Sequence, residues 1–251
     1  MSRLASLTLA LEQAGFFVLD TLETDAGLEL AIGSAGQPFW DAVTASPEWV
    51  SEPDHHHQSD HPVDAFTRRA ITDVLTAEDA AGTDAAAQVT FVFDTDAPNF
   101  VVLWTQRFPR IAQSDLGMMI HPEYGLWMGA RAHVLLPGFH ETLENADSTK
   151  GLKNQPHFDP CASCSDKPCL SACPVEAFPA PKTFEFQACA AHLMSNPRCF
   201  SAGCDARAAC PYGQSWQLPP DQAHYHQSRF RGAVSPESKG GITNLDGGRV
   251  S

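Results

Sequence analysis

CASCSDKPCLSACPVEAF, residues 161–178, places four cysteines within thirteen residues and follows the last with proline. A 4Fe–4S cube needs a thiolate at each of four corners. Closely spaced cysteines on a tight loop reach three corners of one cube, and a fourth that precedes proline points away toward a second. The spacing is Cys161-x2-Cys164-x4-Cys169-x3-Cys173-Pro174, so the middle gap is four residues where the usual cluster-binding run has two. The other four cysteines follow as Cys189 and Cys199-x4-Cys204-x5-Cys210-Pro211, and residues 1–160 hold none. Two groups that each end in Cys-Pro predict reciprocal exchange. Cluster one takes Cys161, Cys164, Cys169 and Cys210; cluster two takes Cys173, Cys189, Cys199 and Cys204. Pro174 and Pro211 fix φ directly after their ligands. Zinc held by four cysteines is a competing reading, and a single surviving cluster is another. The Cys-Pro endings and the helix start ACPVEAF favour iron–sulfur.

The rest of the chain limits the setting. It has 251 residues, 43% of them apolar, enough for one sizeable core with a smaller module. No run of eighteen apolar residues exists, so no membrane span is expected. The start, MSRLASLTLALEQAGFF, carries Glu12 and Gln13 inside its apolar stretch and reads as an amphipathic helix, not an export signal. A cytoplasmic location follows as the expectation, with the cysteines as ligands and not disulfides. The net charge is −14. Residues 1–160 carry 8 Lys/Arg against 23 Asp/Glu, and residues 161–231 carry 6 against 5. Nucleic-acid binders need a basic footprint, so this distribution opposes a nucleic-acid partner. It suits a solvated acidic surface, or docking of a basic redox partner.

Apolar spacing predicts a helix over residues 4–14, strands at FFVLDTLE and LELAIG, and a helix from PFWDAV. Ser51 to His61 reads as a polar loop, and VDAFTRRAITDVL as a helix. Asp79 to Ala87 is expected to loop out. VTFVFDT and FVVLWTQRF read as strands around a DAPN turn, and LWMGARAHVLLPG as another strand. This mixture predicts an α+β domain over residues 1–150. A cysteine module of residues 151–231 and a Gly/Ser-rich tail, 232–251, expected to be disordered, complete the chain.

Within the first domain, His121 lies at a strand-to-turn junction, with Tyr124, Gly125, Trp127 and Arg131 close behind. Aromatic faces, a glycine for close approach and an arginine for an anionic group suit a pocket for a flat cofactor. The alternative is a glycine turn whose aromatics fill the core. His55, His56, His57 and His61 form a further cluster, though adjacent histidines on a strand point to opposite faces. A polar loop is the simpler reading there.

The cysteine run, with the later ACAAHL and ACPYG, resembles the C-terminal two-cluster ferredoxin module of epoxyqueuosine reductases over about fifty residues. GSAGQPFWDAV, HPVDAFTRRAI and IHPEYGLWMGARAHVLLPG resemble, in that order, the cobalamin-processing (cblC-type) family. Those proteins have a nitroreductase/flavin-reductase-like fold and bind cobalamin and also flavin. The resemblance implies a corrinoid pocket, with Arg131 at it and His121 near it. It also implies a nitroreductase-like N-terminal domain joined to a ferredoxin-like one. The expected function is an iron–sulfur oxidoreductase in which an external ferredoxin, flavodoxin or reductase supplies electrons. Two 4Fe–4S clusters would relay them to cobalamin, for upper-ligand removal or a cobalamin-dependent reduction of a small molecule. An FMN-containing iron–sulfur reductase, or a cobalamin carrier with no turnover, are the alternatives.

Overall fold

The computed structural model describes residues 2–50, 61–80, 86–139, 157–195 and 197–234. Helix α1 (Arg3–Gln13) is capped by Ser2, whose hydroxyl accepts from the Ala5 amide, and it buries Leu7 and Leu11. Gly15 lets the chain turn at φ +87° into β1 (Phe17–Thr24). Strand β2 (Gly27–Ser34) pairs with β1 and is buried along its whole length. Helices α2 (Gly36–Thr44) and α3 (Pro47–Val50) follow, then α4 (Pro62–Ala80), β3 (Gln88–Phe91) and α5 (Phe100–Arg107). A short ribbon of β4 (Ala112–Gln113) and β5 (Met119–Ile120) precedes β6 (Gly129–Pro137). The sheet runs β1-β2-β6-β3 with every pair antiparallel. The architecture is α+β.

Alternation sorts the sheet's side chains between two layers. Leu28, Leu30 and Ile32 of β2, with Ala132, Val134 and Leu136 of β6, pack against Leu7 and Leu11 of α1, Phe39 of α2 and Phe66 and Ile71 of α4. Leu19 and Ala31 join Phe100, Trp104 and Phe108, the buried stripe on and just past α5. On that side Glu29, 8% exposed, receives a two-pronged ion pair from Arg107 and lies 3.3 Å from His133. A strand covered on both sides has no polar face to show, which is why β2 is apolar almost throughout.

FVVLWTQRF is helical, not the expected strand. Asn99 ends the DAPN sequence and caps the helix, its carboxamide oxygen accepting from the Val101 and Val102 amides. Phe100, Trp104 and Phe108 recur every four residues and are all buried, the period of a helix and not of a strand. The other strand expectations shorten. Only residues 88–91 of the VTFVFDT region are strand before Asp94 turns the chain, its carboxylate accepting from the Phe91 amide. Residues 126–128 precede β6. The histidine run at 55–57 lies outside the described residues, as do residues 81–85, 140–156 and 235–251.

The cysteine region is built from short helices: α6 (Pro160–Ser163), α7 (Pro168–Ser171), α8 (Phe186–Ser195), α9 (Pro197–Ala202) and α10 (Asp205–Ala208). Then α11 (Pro220–Val234) returns to the sheet's helical layer. Its Asp221 accepts from the Trp40 indole at 2.6 Å, and Tyr225 is part of the first core, packed against Trp40 and Trp49. A third apolar cluster joins Ala112, Leu116, Ile120 and Leu126 to Cys169, Ala206 and Cys210. The two parts are thus packed together at two places.

Candidate metal centre and adjoining cavity

The first cysteine loop is tied to the ribbon between β4 and β5. Asp159 caps α6 by accepting from the Ala162 amide, and Pro160 occupies its first turn. The four-residue gap SDKP has a structural role. Lys167 takes a left-handed conformation, φ 40°, and Pro168 opens α7. The Lys167 ammonium reaches back to the Cys161 carbonyl at 3.0 Å and pairs with the Asp115 carboxylate. The Asp115 amide points at the Cys161 sulfur at 3.4 Å. The longer loop therefore carries a cation that latches it to the other part of the chain.

All eight cysteines are free thiols. Burial, then repulsion from Cys210, Cys161 and Cys164, raises the Cys169 pKa, and burial with Cys161 and Cys164 raises that of Cys210. Cys189 is pushed up to about 11 by burial and by Cys204, Cys173 and Cys199. Cys199 is raised by burial, Asp205, Cys204 and Cys173. Each C-terminal cysteine of one sequence group thus neighbours three cysteines of the other. The Ala177 amide lies 3.4 Å from the Cys173 sulfur, a second backbone donor to a thiol of these sets. Among the described residues no three His, Cys, Asp or Glu draw together around one metal-ion position.

The five candidate residues of the first domain do not share one role. His121 is 1% exposed and fully engaged. Its Nε2 is 3.0 Å from the Leu19 carbonyl, and its Nδ1 accepts from the Glu123 and Tyr124 amides at 3.2 and 3.4 Å. That tautomer is neutral, and burial followed by the nearby Arg110 charge lowers its pKa to about 3. The ring braces a turn and stacks on Tyr124, which itself packs against Phe17 and Trp216. Gly125, at φ +56°, closes an isolated bridge with His121. A Cβ there would stand 2.1 Å from the Tyr212 carbonyl oxygen, and one on Gly213 would stand 2.3 Å from the Tyr124 carbonyl. The close approach that this glycine permits is to the chain after Cys210.

Trp127 and Arg131 do line a cavity. It measures about 350 Å³ and lies between the start of β6, α10 and α11. Arg131 stacks over Phe39 at 4.4 Å and donates from Nε to the Ser34 hydroxyl at 2.8 Å. Three further lining residues, Arg207, Gln222 and His226, come from the cysteine region and from α11. Arg207 lies midway between Cys204 and Cys210 in the sequence, stacks over Trp127 at 4.6 Å and donates to the Leu126 carbonyl at 2.9 and 2.6 Å. Burial lowers both guanidinium pKa values to about 10, which leaves both charged at neutral pH. No local sequence pattern announces Arg207. Gln222 and His226 are spaced i, i+4 on one helix, a signal that shows only once α11 is placed. Of the histidine cluster, His61 is described: it accepts from Arg229 at 2.8 Å and lies 3.9 Å from Asp64.

No protein-family model matches the chain, and no curated protein does. Among solved structures, a selenomethionine-labelled epoxyqueuosine reductase is similar at 13% identity and a TM-score of 0.46, over 89% of this chain and 70% of that one. An epoxyqueuosine reductase from Bacillus subtilis is similar at 13% identity and 0.46, over 90% and 70%. A third, an epoxyqueuosine reductase with an epoxyqueuosine-modified tRNA-Tyr stem loop, is similar at 15% and 0.47, over 88% and 71%. Neither site nor substrate follows from likeness at this level.

Proposed function

We propose that the chain is an iron–sulfur oxidoreductase whose eight cysteines hold two 4Fe–4S clusters in the crossed arrangement, with a small electron acceptor in the adjoining cavity. The observation that carries this reading is the sorting of the thiols. Cys210 acts electrostatically with Cys161, Cys164 and Cys169, while Cys173 does so with Cys189, Cys199 and Cys204. The donor set fits such clusters: eight free thiols in two sets of four, with backbone amides directed at two of the sulfurs. Cys161, Cys169 and Cys210 in one set, and Cys189, Cys199 and Cys204 in the other, have pKa values raised chiefly by burial and hold their protons until a cationic centre displaces them. Each cluster would supply one-electron transfer.

The chain's residues set the path. Ala206 and Cys210 pack against Leu126, and Arg207, between the cysteines of the two sets, forms part of the cavity wall. Electrons from an external ferredoxin, flavodoxin or reductase would thus arrive beside the cavity. The cavity does not fit a corrinoid. At about 350 Å³ it is near the lower end for small-molecule sites, and His121, Tyr124 and Gly125 are occupied with internal packing. Of the two cofactors implied by the resemblance, FMN is nearer the cavity's size.

Anaerobic reconstitution of wild type, Cys210→Ser and Cys173→Ser tests the assignment, with iron and sulfide counts and low-temperature EPR of the reduced samples. Two clusters are expected in the wild type and a different one perturbed in each variant. Loss of the same signal in both variants, or zinc in place of iron, refutes the crossed arrangement. Flavin released on denaturing desalted protein would identify the acceptor.

A further inference from the structure

Two cations share the cavity with no carboxylate at ion-pair distance among the described residues. Arg131 uses Nε on Ser34, and Arg207 uses Nε and one η nitrogen on the Leu126 carbonyl. A guanidinium has five N–H donors. Both η nitrogens of Arg131 and one of Arg207 make no hydrogen bond among the described residues. At longer range Arg131 feels the Asp64 carboxylate, and Arg207 feels Cys204. His226 lines the same cavity as both arginines.

Two more polar groups are left open. Gln222 is 2% exposed, and its amide nitrogen approaches His226 Nε2 at 3.4 Å. Its carbonyl oxygen is buried without a partner, as is the Trp127 indole N–H. A buried donor or acceptor left unpaired costs about 1–3 kcal/mol; the two arginines are half-buried. All four side chains line one cavity in a protein whose net charge is −14. A ligand with an anionic group for the guanidinium donors, an acceptor for the indole and a donor for the Gln222 oxygen would restore the balance.

We infer that Arg131, Arg207, Trp127 and Gln222 form a recognition site for a small ligand bearing a carboxylate or phosphate beside a hydrogen-bond donor. This specifies the acceptor class of the function proposed above and rests on that reading for its redox role, while binding itself requires no cluster. The shared chemistry has two sources: a phosphate-bearing cofactor, or a carboxylate-bearing substrate.

Titration calorimetry of cluster-loaded protein under anaerobic conditions tests it, with inorganic phosphate, FMN and malonate as separate probes. Saturable binding of at least one is expected. Phosphate and FMN without malonate point to the cofactor source, malonate alone to the substrate source; either result supports the site. Arg207→Gln should weaken binding about ten- to a hundredfold, the range for a charge-assisted hydrogen bond. Because Arg207 also holds Leu126, Gln222→Glu provides a second variant. It preserves shape, adds a negative charge and should abolish binding. Arg69→Gln, on the remote ion pair with Glu48, should leave it unchanged. No saturable binding of any probe by protein with intact clusters overturns the inference, as does binding that survives Gln222→Glu. Anion binding by protein that never assembles clusters would overturn the redox function and leave the site standing.

Discussion

Gly125→Ala should loosen the junction between the first domain and the cysteine region. The added methyl would stand 2.1 Å from the Tyr212 carbonyl oxygen, 2.4 Å from its carbon and 2.8 Å from the Gly213 nitrogen. All three are backbone atoms and cannot swing aside. Overpacking of this kind costs about 1–3 kcal/mol, and an alanine held at φ +56° adds about 1–2 kcal/mol. A loss of about 2–5 kcal/mol is therefore expected. Gly117→Ala separates the two contributions, because Gly117 has φ +80° and nothing within 4 Å of its would-be Cβ. That control should lose only the conformational part. Urea unfolding followed by tryptophan fluorescence measures both. Since Tyr212 is two residues past Cys210, Gly125→Ala should also lower the iron retained after reconstitution, whereas Gly117→Ala should not. A Gly125→Ala midpoint equivalent to less than about 0.5 kcal/mol, the level of an ordinary surface substitution, would refute the tight backbone contact.

Removing the Asn99 cap should destabilise α5. Asn99→Ala loses acceptors for two amides and should cost about 1 kcal/mol in urea unfolding. His121 should make stability acid-sensitive. Its folded pKa of about 3 lies below the ordinary 6.5, so the unfolded chain binds the extra proton between those values. The contribution is complete above pH 6.5 and falls as pH drops toward 3, by about 1.4 kcal/mol per unit. Urea midpoints from pH 7 to pH 4 should show a shallower slope in His121→Phe than in the wild type.

The first half of the fold was legible because its apolar spacing matches its elements. Leu7 and Leu11 mark one face of α1, and Phe66, Ala70 and Ile71 mark one face of α4. FVVLWTQRF misled because β-branched and aromatic residues outweighed the four-residue spacing of Phe100, Trp104 and Phe108, and because Asn99 reads equally as a turn or a cap. The grouping of the cysteines into two sets is legible in their spacing. The cavity does not, since Ser34, Trp127, Arg207 and Gln222 converge from four separate segments. IHPEYG has the composition of a ligand site, yet its histidine and glycine satisfy a turn and a backbone contact. A sequence records which side chains are polar or small, not which neighbour will use them.

The return of α11 to Trp40 and Tyr225's place in the first core have a further consequence. The cysteine segment leaves the sheet after β6 and rejoins it at α11, so it is tethered at both ends and latched between them by Lys167 and Asp115. A redox module on one flexible linker samples a range of separations from its acceptor, and electron tunnelling falls steeply with distance. Two-ended attachment narrows that range. Any redox centre on these cysteines is thereby kept at a nearly constant distance from the part of the cavity wall that the first domain supplies.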